Sequence, residues 1–109
     1  MNLVYKILPR GEWDAALEAG VFLGSAVDVQ DGFIHFSTAG QWRETLEKHF
    51  TGQGDLLLVA VEAEALAPGL KWETSRGGAL FPHLYAPFPT ALAASIVSTE
   101  TARAVGNGA

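Results

Sequence analysis

Two histidines stand where their neighbours give them chemistry to do. His35 lies in Asp31-Gly32-Phe33-Ile34-His35-Phe36-Ser37-Thr38 and His83 in Leu80-Phe81-Pro82-His83-Leu84-Tyr85. Side chains alternate along an extended segment, so His35 shares a face with Phe33 and Ser37, and His83 shares one with Tyr85. Each imidazole thus has a hydroxyl on its own side. Such a pair can move a proton or hold a ribose or phosphate oxygen. A histidine inside an apolar strand also serves as a hydrogen-bonded core residue, and that reading stays open for both. Lys6 shares the face of Val4 and Leu8, where it either snorkels from a sheet edge or lines a cleft. Glu73 points away from Trp72 beside a turn, as a solvated carboxylate or a site residue. His49 falls near a helix end, where a basic side chain suits the negative pole of the dipole.

The elements that must position these groups follow from spacing. Residues 3–8 form a first strand, ended by Pro9, which has no amide to donate. Trp13, Ala16 and Leu17 then recur at helical spacing, with Glu12 and Asp14 in the first turn and Gly20 as the left-handed stop. Residues 21–30 have little periodicity and read as a surface loop. After the Asp31-Gly32 turn comes the His35 strand. Thr38-Ala39-Gly40-Gln41 has the spacing of a capping box and predicts a helix over 39–50, with Trp42, Leu46 and Phe50 on its buried face. The strand end and helix start together leave amide donors near His35, Ser37 and Thr38, suited to an anion or a ribose. Residues 56–61 form an uninterrupted apolar strand covered on both faces. Residues 70–74 make a short strand before a turn over 75–78. Pro82 marks the His83 strand as an edge or a bulge, because proline cannot donate to a ladder. A last strand covers 93–99, and the tail from 101 reads as frayed.

Composition limits what those groups serve. The chain has 109 residues, enough for one domain that buries roughly two thirds of its unfolded surface. Its 49% apolar and 17% charged residues describe a folded protein and not a disordered one. A net charge of −5, with seven scattered basic residues, offers no extended nucleic-acid surface but permits a small pocket for one phosphate. With no cysteine there is no disulfide and no thiolate chemistry. The three histidines lack ligand spacing, so no metal is expected. No apolar run is long enough to span a membrane and no leader stands at the start, so the expected location is the cytoplasm. An exposed Phe81 or Phe88 would mark a contact between copies.

Val-Tyr-Lys-Ile at the start, Trp13 and Gly20 about the first helix, Gly-Phe-Ile-His-Phe-Ser-Thr and Phe-Pro-His-Leu-Tyr together resemble domain-of-unknown-function family 952, over about 3–99. The usual first motif there is similar to Ile-Tyr-His-Ile, so Lys6 stands where a histidine is expected. The order of strand, helix, Gly, then a strand with a central His followed by Ser more distantly resembles ADP-ribosyltransferases, especially the tRNA 2'-phosphotransferase branch. That resemblance implies an α+β fold with a small, split, curved β-sheet core, two short helices and a cleft for nicotinamide adenine dinucleotide (NAD) or another phosphorylated nucleoside. On this reading His35, His83 and Glu73 take catalytic roles, and Tyr5, Lys6, Ser37, Thr38 and Tyr85 make cofactor contacts. Of these, Lys6, His35 and Ser37 match motif positions of the larger group; Glu73, His83 and Tyr85 have no fixed counterpart in it. The implied chemistry is loss of nicotinamide at an oxocarbenium-like ribose carbon and attack by an acceptor, with a nucleotide-like small molecule as partner. A noncatalytic small-ligand-binding or regulatory module on the same fold is the alternative.

Overall fold

The computed structural model describes residues 2–106. Its strands and helices run β1 (Leu3–Pro9), α1 (Arg10–Ala19), β2 (Val21–Phe22), α2 (Ala26–Asp31), β3 (Ile34–His35), α3 (Trp42–His49), β4 (Leu56–Glu62), α4 (Ala63–Leu66), β5 (Leu70–Thr74), β6 (Leu80–Leu84), β7 (Phe88–Pro89), β8 (Ala93–Ser98) and α5 (Thr99–Gly106). The strands form three small antiparallel sheets, ordered β1-β4-β8, β2-β7 and β3-β6-β5. The architecture is α+β, with a β core in separate pieces.

The uninterrupted apolar run becomes β4, the centre of the first sheet, and its two faces serve two cores. Leu57, Val59 and Val61 join Val4, Leu8, Trp13, Phe22, Ile34, Phe36, Leu84 and Phe88 on one side, while Leu56 and Leu58 meet Ile7, Trp42 and Leu46 on the other. Helix α1 supplies Trp13 and Ala16 to the first core and stops at Gly20, whose φ of 82° lets its amide cap the carbonyls of Ala16 and Leu17. Helix α3 closes the second with the stripe its spacing anticipates.

Several expectations are corrected. Residues 21–30 are no surface loop: they hold β2 and most of α2, which is entered by a capping box in which Ser25 and Asp28 satisfy each other's backbone amides. Instead of two helices, the described residues contain five, including α5 in the tail expected to fray; residues 107–109 lie outside the described part. Helix α3 begins at Trp42 and not at 39. The Gln41 side chain does reach back, accepting from the Thr38 amide at 3.0 Å, but the Gln41 and Trp42 amides both bond the Thr38 carbonyl, forming a turn before the helix. These three amides are committed within the turn. Phe81 and Phe88 are buried and mark no contact surface.

Pro82 is in neither an edge nor a bulge, since β6 is the central strand of the third sheet. The Pro82 carbonyl accepts from the Phe36 amide at 3.0 Å, and proline has no N–H to return the bond. The β3 ladder ends there. The chain is released toward the first sheet, where Ser37 and Tyr5 exchange both backbone bonds at 2.7 and 2.8 Å. Continued, that antiparallel register would set Ile7 opposite His35. Instead β1 and β3 diverge, and the gap between them is the site.

Candidate functional site

The gap is a cleft of about 530 Å³ along the outer edge of β1. Lys6, Ile7 and Glu12 wall it from the first sheet and α1, Ser25 and Asp31 from α2, His35, Ser37 and His83 from the third sheet, and Thr45 and His49 from α3. Alternation along β1 sends the backbone groups of Tyr5 and Ile7 to the same edge, so Ile7 directs its N–H and C=O along the cleft.

His35 and His83 are register partners on β3 and β6, and their rings stand 5.6 Å apart between centroids. Phe33 roofs them, stacked on His83 at 4.1 Å and tilted against His35 at 4.6 Å. The face assignment made from alternation holds on both strands. Tyr85 and His83 also share a side: both bond the same oxygen of Glu73, each at 2.7 Å. The hydrogen bonds from Tyr85 and then His83 hold the Glu73 carboxyl below its ordinary range, and the same bond raises the Tyr85 phenol. With Nδ1–H given to Glu73, the ring nitrogen that remains to His83 as an acceptor is Nε2.

Beneath His35 lies a carboxylate that sequence reasoning missed. Asp28 is 1% exposed, and one of its oxygens takes the His35 ring Nδ1 at 2.6 Å and the His35 amide at 3.1 Å. The other takes the Ser25 amide and the Lys6 ammonium, each at 2.8 Å. Burial alone would raise Asp28, but the His35 hydrogen bond, the Lys6 charge and the Ser25 amide outweigh it and hold the carboxyl at about 2. Burial pulls the Lys6 ammonium below its ordinary value, against the attraction of Asp28. Lys6 therefore does not snorkel, although β1 is an edge strand; it lines the cleft with its charge matched from within. The second ring nitrogen of His35, Nε2, meets Asp31 at 3.0 Å.

Of the residues singled out from sequence, Tyr5, Lys6, His35, Ser37 and His83 line this one cleft. Glu73 and Tyr85 stand beside His83 and are not part of its wall. Thr38 lies apart, in a more open depression shared with Tyr5 and Trp72. Glu12, Ser25, Asp28, Asp31, Thr45 and His49 were not foreseen as site residues. Ser25-Ala-Val-Asp28 is itself a capping-box pattern, and it was the one signal that could have marked α2 and Asp28. Among the described residues no group of three or more His, Asp or Glu is arranged to hold a metal, and no helix is long and apolar enough to cross a membrane.

A split antiparallel core with an imidazole pair at the point of divergence defines a small α+β protein, and residues 7–96 match the family described as protein of unknown function (DUF952). The chain belongs to that family. It is similar to protein CC0527 of Caulobacter crescentus, whose crystal structure aligns with a TM-score of 0.86 at 56% identity over 88% of this chain and 84% of that one. The solution NMR structure of CC0527 aligns with a TM-score of 0.79 at 56% identity, over 88% and 83% of the two chains. No curated protein matches the chain.

Proposed function

We propose that the cleft binds NAD or another phosphorylated nucleoside and that the protein is an ADP-ribosyltransferase-like transferase. The observation that supports this reading is the opposition of His35 and His83 where β1 and β3 part, with a backbone edge facing them across the gap. The volume suits a nucleotide-sized ligand, for which pockets run from roughly 300 to 1,000 Å³. Ser37 and the β1 edge supply partners for ribose hydroxyls. When bound, NAD offers an activated ribose carbon that exchanges nicotinamide for an acceptor oxygen. His83 is the group to take the acceptor's proton on Nε2, and Glu73 stabilises the charge that arrives. His35 orients the ligand at the other strand. Glu73 acts in this scheme through His83, since it is outside the cleft wall.

A second reading, a noncatalytic module that binds a nucleotide-like ligand, draws support from Lys6. Lys6 is 5% exposed and its ammonium is engaged with both oxygens of Asp28, so little of its charge reaches a bound phosphate. Titration calorimetry with NAD and ADP-ribose, on the native chain and on His35→Ala, tests the shared premise. Loss of binding in the variant is expected, and absence of binding to the native chain at millimolar ligand would remove both readings. Nicotinamide release by the native chain that disappears in His83→Ala supports the transferase; binding without release supports the module.

A further inference from the structure

The contact between His35 and Asp31 carries an assignment about the ligand. The His35 ring is held on both sides by carboxylates of different kinds. Asp28, at Nδ1, is buried and tied by Lys6, Ser25 and the His35 amide, so it is part of the frame. Asp31, at Nε2, is 42% exposed, lines the cleft, and is the last residue of α2. A helix C-terminus disfavours an anion, and Gly32 follows with φ 88° in the left-handed turn that ends the helix. Asp31 thus gains nothing from its helix, and its carboxylate stands 3.0 Å from Nε2, in the position an external anion would take.

We infer that Asp31 occupies the place of a ligand anion, and that His35 Nε2 is the docking point for a phosphate group that displaces it. The ring is fixed in direction by Asp28, so the incoming oxygen needs no rotation of the imidazole. The charged and titratable groups around it are Lys6 on β1, Glu12 on α1, Asp28 and Asp31 on α2, and His83 on β6, with His49 farther along the cleft. Lys6 and Asp28 cancel each other, and Glu12 accepts from the Ser25 hydroxyl at 2.6 Å. The negative charge standing on His35 from the cleft side is that of Asp31. This assignment deepens the proposed function by naming the part of the ligand that His35 holds, yet it requires no transfer chemistry.

The test is a titration of the full chain with inorganic phosphate and with adenosine monophosphate, followed by NMR of the three histidine rings, His35 being identified by loss of its signals in His35→Gln. The expected result is that phosphate shifts the His35 ring first, and that Asp31→Ala binds phosphate roughly fivefold more tightly, the equivalent of an exposed ion pair removed from competition. Asp31→Asn, which keeps the shape and loses the charge, should tighten binding as well, so the test survives a folding defect in either variant. Unchanged or weaker phosphate affinity in both variants overturns the assignment, as does a response confined to His49 and His83. Binding of phosphate at His35 with no affinity for NAD leaves this assignment standing and removes the dinucleotide reading, so the two failures are distinguishable.

Discussion

His35 and His83 face each other across the β3–β6 ladder, and Phe33 packs against both, so the two imidazoles are held by one aromatic ring and by separate carboxylates. The arrangement couples the two halves of the site through a residue that makes no hydrogen bond with its side chain.

Phe33 and His83 should therefore show a measurable interaction. An offset-stacked aromatic pair contributes about 0.5–1.5 kcal/mol beyond its buried area, and this is the expected coupling in a double-mutant cycle of Phe33→Leu and His83→Gln followed by urea denaturation. Additive effects of the two substitutions would show that the stacking carries no energy.

Replacing Lys6 by Met should be costly. The substitution fills the same volume but strands the Asp28 carboxylate without its cation, and breaking a buried pair in this way costs about 3 kcal/mol or more. Adding Asp28→Asn to Lys6→Met removes the stranded charge and should recover part of the loss. A Lys6→Met protein as stable as the native one would mean that the pair is not closed in solution.

Acid should loosen the protein in a window set by Asp28. Its folded carboxyl is held at about 2, below its ordinary value of 3.8, so the folded state binds the proton less readily than the unfolded chain. The stabilisation, of order 2 kcal/mol, is complete above about pH 4 and is lost as the pH falls through 2. Denaturation midpoints measured from pH 6 to pH 2 should converge with those of Asp28→Asn at the acid end. A constant gap between the two proteins across that range would contradict the assignment.

The Glu73 carboxylate keeps the proton on Tyr85. In Glu73→Gln the phenol should ionise at lower pH than in the native chain, read by ultraviolet absorbance, with Tyr85→Phe identifying which of the two tyrosines is responsible. An unmoved midpoint would mean that the phenol does not donate to Glu73.

Local pattern by itself determined a good part of this protein. Alternation placed His35 beside Phe33 and Ser37, and His83 beside Tyr85. Period and composition marked β1, α1, β4 and the buried stripe of α3, because those elements bury continuous apolar faces and their signal is carried by neighbours in sequence. Helix α2 escaped because six residues are too few to establish a period, and its evidence was a capping box alone. Pro82 misled because a proline excludes itself from a ladder only on the side where its amide would donate, and here that side is where the strands separate.

Only the tertiary structure decided what the imidazoles touch. Lys6 and Asp28 are 22 residues apart, and nothing near either announces the other. A buried ion pair is made by the docking of α2 against β1, and the cleft exists because one register, begun at Tyr5 and Ser37, is not continued to Ile7 and His35. Contacts of that kind depend on how separate elements pack, whereas a sequence pattern records only what each element must bury for itself.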